Sequence, residues 1–151
     1  MVNIDDLKKL REETGAGVSD CRQALEDAGG DYAKAKKLVT DRSIEKASKK
    51  ADRETGSGLV TSYVHGGKVG VLVELRCETD FVARTDDYQH LAHEVALQIA
   101  AMNPKDVKAL LASEYIRDPK LTIESFVKKT IGKLGENISI SRFTRMSLGE
   151  K

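Results

Sequence analysis

The run LVTSYVHGGKVGVLVEL, residues 59–75, decides the fold of this chain. β-branched and other apolar residues fill both ends of the run, and His65-Gly66-Gly67-Lys68 separates them. Two strand-like segments joined by a glycine pair are typical of a β-hairpin, because glycine accepts the positive φ angles of a tight turn. The run therefore predicts two antiparallel strands in a chain whose other segments mostly have helical periodicity.

Helical periodicity returns after the hairpin. Apolar residues recur at helical spacing over residues 88–102, which predicts one long amphipathic helix. Its apolar stripe consists of Tyr88, Leu91, Ala92, Val95, Ile99 and Met102. Two shorter helices are predicted between that helix and Gly135, with a turn at residues 117–120 separating them.

The last part of the chain alternates like a strand. In residues 138–148 every second position is apolar at first, and the apolar face then switches near Arg142-Phe143. Such a switch predicts a β-bulge or an edge contact. Together with the hairpin, this strand predicts a small antiparallel three-stranded sheet packed with helices.

Three short helices are predicted before the hairpin. Glycines at Gly15-Ala16-Gly17 and Gly29-Gly30 mark where the first two end. The third runs into residues 44–53, a charged and thinly apolar segment that we interpret as a linker. We therefore predict an α+β protein with a three-helix domain and linker in residues 1–53 and an α+β core in residues 54–151.

The composition argues against several classes of protein. Charged residues make up 32% of the chain and the net charge is +1, so the surface has no overall bias towards nucleic acid or anionic membranes. No apolar run approaches the roughly 20 residues of a membrane span, and the first ten residues do not resemble a signal peptide. Cys21 and Cys77 lie in different predicted domains, which favours reduced thiols. We expect a cytoplasmic protein that contacts neither membrane nor nucleic acid directly.

No motif in the sequence convincingly predicts catalysis, a metal or a cofactor. Gly66-Gly67-Lys68 lacks the spacing of a phosphate-binding loop and lies in a hairpin. His90 and His93 share one helix, but the sequence does not supply an obvious cluster that would complete a metal site. The basic residues of segment 46–53 are diluted by acidic ones and lack the aromatic residues on which bases stack. We predict a protein that is not an enzyme, with a metal-dependent enzyme using the two histidines as the less favoured alternative.

The segment CETDFVAR, residues 77–84, leaves the role of its aromatic residue open. Phe81 lies seven positions before Tyr88 and could extend the apolar stripe of the long helix. The stripe positions between them, Arg84 and Thr85, are polar, and Thr79 or Asp80 would suit a helix N-cap. Phe81 is therefore either a core residue or an apolar probe that is held out for a partner.

Three blocks of the sequence resemble signatures of the elongation factor Ts family. They are LREETGAGVSDCRQAL at residues 10–25, CETDFVAR at residues 77–84, and GENI at residues 135–138 with Arg142-Phe143 after it. The blocks stand in the family's order and span most of the chain. The resemblance implies a ubiquitin-associated-like N-terminal domain. It also implies a guanine nucleotide exchange factor for elongation factor Tu, the GTPase that delivers aminoacyl-tRNA. A binding module without exchange activity is the alternative.

The resemblance also implies which residues contact the GTPase. The family inserts a Thr-Asp-Phe-Val motif near the magnesium and phosphate region of its partner, which promotes GDP release. Here that motif falls on Thr79, Asp80, Phe81 and Val82.

A second contact and a homodimer are further implications of the resemblance. The family's N-terminal module grips a helix of the GTPase, and we place this contact on Leu10 and Val18, although Leu10 is equally well explained as a core residue. Typical members are longer and have a second core subdomain, a helical hairpin and a C-terminal module. This chain resembles the short form, for which we expect two chains to pair, with the sheet edge at residues 138–148 as the segment that would otherwise be unpaired.

Overall fold

The structure, a computed structural model, describes residues 1–150, which contain seven helices and five strands. In chain order the elements are α1 (Ile4–Thr14), α2 (Val18–Asp27), α3 (Tyr32–Ser48), β1 (Ser57–His65), β2 (Val69–Cys77), α4 (Asp80–Ala83), α5 (Asp86–Met102), α6 (Val107–Ala112), β3 (Glu114–Tyr115), β4 (Asp118–Thr122), α7 (Ile123–Leu134) and β5 (Ile138–Ser147). The predicted α+β class is confirmed. A bundle of three helices precedes an antiparallel sheet that packs against helices.

The larger sheet has the strand order β1-β2-β5, and both pairs are antiparallel. The predicted hairpin is confirmed: His65 pairs with Val69, and Gly66 and Gly67 have φ angles of 57° and 69°. The last strand pairs with β2 and leaves β5 at one edge of the sheet. Because β2 is central, its pairing fixes the register of both edges.

The predicted bulge in the last strand is also confirmed. Glu74 pairs with Arg142 whereas its neighbour Leu75 pairs with Ile140, so Ser141 is the extra residue on β5. A one-residue insertion reverses the side-chain alternation of the strand. This accounts for the change of apolar face near Arg142-Phe143.

The main core lies between one face of this sheet and the helices. Alternate residues of β2, including Val73 and Leu75, are buried, and they contact the apolar stripe of α5. The stripe is buried as predicted from Tyr88 to Ile99, but Met102 is exposed. It is the last residue of α5, directly before the left-handed cap at Asn103.

A two-stranded ribbon of β3 and β4 was not predicted. The predicted turn at residues 117–120 is wrong in position, because the chain turns at residues 116 and 117 and continues as β4. Two buried polar residues of α5 hold the ribbon. Gln98 Nε2 donates to the Glu114 carbonyl at 2.8 Å, and Arg117 Nε donates to Glu94 Oε2 at 2.8 Å.

The third helix contributes to two hydrophobic clusters. Ala35 and Val39 belong to the cluster of the N-terminal bundle, whereas Ala47 packs into the main core. Gly132 of α7 lies so close to α3 that a Cβ atom there would be 2.8 Å from Ser43 Cβ. The start of the predicted linker is therefore helical and docked on the core. The domain boundary near residue 54 stays a prediction.

Candidate partner-binding site

The Thr-Asp-Phe-Val segment forms a one-turn helix between β2 and α5. Thr79 is the N-cap of α4, and its side-chain oxygen accepts the Val82 N–H at 3.4 Å. We call residues 79–83 the Phe81 corner. Successive side chains of an α-helix are about 100° apart around its axis, so neighbours can differ in burial. The Phe81 ring is 80% exposed, whereas the next residue, Val82, is only 6% exposed.

Of the two alternatives left open by the sequence, the structure therefore places Phe81 on the surface. Asp80 and Thr79 beside it are exposed as well. Val82 belongs to the main hydrophobic core, so its side chain anchors the corner and is not available to a partner. Contact between the Thr79–Val82 motif and the GTPase stays a prediction, and the exposed side chains are those of Thr79, Asp80 and Phe81.

The corner is fastened from beneath by a thiol. Cys77 Sγ donates to the Thr79 carbonyl oxygen at 3.0 Å. Burial raises the pKa of the Cys77 thiol above its ordinary value, so the thiol stays protonated at neutral pH and remains a donor. Cys77 thus has a structural part in the corner.

A carboxylate from the third sequence block fastens the corner from the side. Glu136 Oε1 accepts the Thr79 N–H at 2.9 Å, and Glu136 Oε2 accepts the Thr79 hydroxyl at 2.7 Å. A second carboxylate joins the same two segments, since Glu78 Oε1 accepts the Asn137 N–H at 2.8 Å. We call these four residues the reciprocal clamp. Hydrogen bonds to carboxylates are stronger than neutral ones.

Sequence reasoning missed the clamp, although two of its members lie in GENI. Glu136 is 57 residues from Thr79, so no local pattern connects them. The only available signal was that CETDFVAR and GENI are both signature blocks, and this does not indicate contact.

The clamp also reaches the linker from the N-terminal bundle. Asn137 Nδ2 donates to the carbonyl oxygens of Arg53 at 2.8 Å and Ala51 at 3.3 Å. Thr55 and Ser139 hydroxyls are 3.2 Å apart. The path between the bundle and the Phe81 corner is therefore hydrogen-bonded at several points.

In the bundle, the two predicted contact residues have different environments. Leu10 is fully buried in the bundle core, so the core alternative describes it and it has no surface to offer. Val18 is 44% exposed at the first turn of α2, directly after Gly17. Val18 therefore remains a candidate contact and Leu10 does not.

The histidines of α5 make aromatic contacts. His90 and Phe126 have ring centroids 6.3 Å apart, and His93 meets the edge of Tyr63 at 5.8 Å. Among residues 1–150 there is no group of three or more His, Cys, Asp or Glu residues that could hold a metal ion. Within the same residues no helix is both long and apolar enough to cross a membrane.

The second exposed apolar region is the face of the sheet that points away from the helices. Directly paired residues share one face of a sheet, and the register groups Val60 with Glu74, Leu72 with Thr144, and Gly70 with Met146. We call this region the outer sheet face. Its apolar members are exposed: Val60, Val64, Leu72 and Met146. A shallow groove of about 330 Å³ crosses it beside Leu72.

Comparison with known proteins places the chain among translation factors. A family model described as "Elongation factor TS" matches residues 78–151. The elongation factor Ts of Coprothermobacter proteolyticus is 40% identical over 190 aligned positions, which cover 95% of this chain and 96% of the relative. That of Fervidobacterium nodosum is 40% identical over 195 positions, which cover 99% of both chains.

The aligned lengths exceed the 151 residues of this chain, so these relatives contain residues that have no counterpart here. The identity nevertheless extends over nearly the whole of both sequences. All three signature blocks lie within the 99% of this chain that aligns with the Fervidobacterium relative. The chain therefore belongs to the elongation factor Ts family of translation elongation factors.

Proposed function

We propose that this chain is a guanine nucleotide exchange factor for elongation factor Tu and that the Phe81 corner promotes GDP release. The observation that supports this most directly is the exposure of Phe81 on a turn fastened by the reciprocal clamp. A large apolar side chain in water is unfavourable unless a partner buries it. Its position in the signature segment indicates which partner that is.

The mechanism follows from how a GTPase holds its nucleotide. Mg²⁺ and backbone contacts to the phosphates supply most of the binding. A ring wedged between the elements that position these groups displaces them, and the Asp80 carboxylate beside the ring disfavours a nearby phosphate. The factor performs no chemical reaction. It binds the nucleotide-free conformation better than the nucleotide-bound one.

Such a mechanism is reciprocal. If the factor weakens GDP binding by a given ratio, GDP weakens binding of the factor by the same ratio. Incoming GTP can then release the factor and complete the cycle. Val18 on the N-terminal bundle provides the second contact, and the linker hydrogen bonds keep both contacts at a fixed separation. We place this activity in the cytoplasm, without direct contact to nucleic acid.

The protein acts as a homodimer in this proposal, and the outer sheet face supports that part. Val60 and Leu72 are 62% and 50% exposed, and they flank the polar pair Glu74 and Arg142, since Val60 is paired with Glu74 and Leu72 lies two residues before it. Arg142 Nε is 3.2 Å from Glu74 Oε2. A face with apolar residues around a charged pair is self-complementary under two-fold symmetry. This moves the expected interface from the edge of β5 to the face of the sheet.

The test is release of a fluorescent GDP analogue from elongation factor Tu. Wild-type factor should accelerate release at least about a hundredfold at saturating concentration, and excess GDP should displace the factor from the complex. Binding to the GTPase without accelerated release would instead favour the tethering module. Absence of both binding and accelerated release would contradict the proposal.

A further inference from the structure

We infer that Glu136 is a positioning residue for nucleotide exchange, because it holds the Phe81 corner in the conformation that presents the ring. The inference rests on the proposed function, since it names a residue that acts through Phe81. Glu136 itself lies at the α7–β5 connection.

The Phe81 corner cannot hold its own shape. An α-helix of four residues is far below the length at which helices persist alone. Its internal hydrogen bonds are long, with the Ala83 N–H 3.4 Å from the Thr79 carbonyl oxygen. Its geometry must therefore come from contacts with the rest of the protein.

Those contacts divide by the side of the turn they reach. Val82 and the Cys77 thiol hold the buried side. On the exposed side both oxygens of the Glu136 carboxylate accept hydrogen bonds from Thr79. This fixes the N-cap in two directions and thereby the direction in which the next turn leaves the strand. Phe81 is two residues further on.

The reciprocal clamp makes this arrangement specific. The two oxygens of the Glu136 carboxylate accept one main-chain and one side-chain hydrogen bond from the same residue, Thr79. Glu78 and Asn137 close the other half of the clamp at 2.8 Å, so the α7–β5 connection cannot shift away from the corner independently. Presentation of the ring thus depends on a residue 57 positions away.

The expected consequence is a change in population. If the presenting conformation is only fractionally populated, apparent affinity for the GTPase falls by that fraction. Glu136→Ala should raise the factor concentration for half-maximal GDP release about tenfold, while the maximal rate at saturation stays within about twofold. Glu136→Gln keeps an acceptor for the Thr79 N–H and should recover most of the loss. Glu124→Ala, which removes an exposed glutamate of the adjoining helix α7, is the matched control and should behave as wild type.

Two further measurements separate positioning from general destabilisation. In a Phe81→Ala background, Glu136→Ala should change the dissociation constant for nucleotide-free elongation factor Tu by less than about twofold, because the ring it positions is absent. Amide hydrogen exchange should be about tenfold faster at Val82 and Ala83 in Glu136→Ala, and unchanged at Val73 in β2.

The outcomes separate this inference from the proposed function. If wild-type factor fails to release GDP, the proposed function fails and the positioning role fails with it, whereas faster amide exchange at Val82 would still establish the clamp. If wild-type factor is active, an equal loss from Glu136→Ala in both backgrounds overturns the inference. Unchanged amide exchange at Val82 overturns it as well.

Discussion

The Phe81 corner and the outer sheet face both expose apolar side chains, but they do so in opposite ways. At the corner one ring stands alone on a four-residue turn, fastened by hydrogen bonds at its base. On the sheet, four smaller side chains are spread over three strands whose register is fixed by backbone pairing. A single fastened ring suits insertion into a partner from which it must later dissociate. A broad, preformed face suits lasting association with a second copy.

The largest expected effect separates two neighbouring residues of the corner. Phe81→Ala should reduce the rate of GDP release about a hundredfold, or about 2.7 kcal/mol, as expected for a central contact residue. Because the ring is 80% exposed, the free energy of unfolding of the protein should change by less than about 0.5 kcal/mol in this variant. Exchange kinetics and chemical denaturation of the same samples check both values.

The matched change at the next position should show the reverse. Val82 is buried, so Val82→Ala should cost about 2 kcal/mol of unfolding free energy through lost burial and a small cavity. Exchange by the folded fraction should be affected far less than in Phe81→Ala. Equal rates of nucleotide exchange in both variants and wild type would show that Phe81 is an ordinary surface residue.

The second effect concerns the outer sheet face. Leu72→Lys should raise the dissociation constant of the homodimer at least about tenfold, because association would bury an added charge. Sedimentation of the factor at micromolar concentration, without the GTPase, measures this. Ile4→Lys is the control, since Ile4 is an exposed apolar residue of α1, outside the face. Sedimentation of wild-type factor as a monomer under these conditions would contradict the proposed homodimer.

A smaller effect is expected where the N-terminal bundle docks on the core. Gly132→Ala would place a Cβ 2.8 Å from Ser43 Cβ and 2.9 Å from the Ser43 carbonyl oxygen, so α3 or α7 must shift. We expect a loss of about 1–3 kcal/mol in unfolding free energy by denaturant titration. Gly56→Ala is the control, because a Cβ there meets no atom within 4 Å among residues 1–150. A neutral Gly132→Ala would show that the helices adjust freely.

The smallest effect is a pH dependence on the outer sheet face. The Ser141 hydroxyl, followed by the Arg76 and Arg142 guanidinium groups, lowers the pKa of Glu74 below its ordinary value of 4.5. A carboxylate with a lowered folded-state pKa stabilises the fold above pH 4.5, and this contribution disappears as the pH falls through the folded pKa. Wild-type protein should therefore lose slightly more thermal stability than Glu74→Gln between pH 6 and pH 3 (roughly, the range over which a carboxylate titrates). An equal loss of melting temperature in wild type and Glu74→Gln across that range would contradict this role of Glu74.

Elements defined by local pattern could be predicted from the sequence. The hairpin, the helix α5 and the bulge in β5 each follow from periodicity or turn residues within a few positions. The ribbon of β3 and β4 could not be predicted this way, because its first strand has two residues and Pro119 lies in the second. Glu94 and Gln98 lie outside the predicted apolar stripe of α5, and they are buried since the ribbon covers them.

The candidate site divides along the same line. Resemblance placed the motif at residues 79–82, and spacing alone left Phe81 undecided between core and surface. Which side of α4 the ring occupies depends on Val82 entering the core and on Glu136 binding Thr79. Both are tertiary contacts, and Glu136 is 57 residues away. The sequence left Leu10 open between partner contact and core for a related reason, since helical spacing does not tell which face of a small bundle meets a partner.

The most direct test of the account is photo-crosslinking from position 81. A benzoyl-phenylalanine placed there should crosslink to elongation factor Tu in the nucleotide-free complex, and excess GDP should suppress the crosslink by linkage. The same group at position 116, an exposed apolar residue of the β3–β4 turn, is the control and should give little product. Efficient GDP release by the labelled factor with no crosslink from position 81 would contradict the claim that the Phe81 ring enters the GTPase.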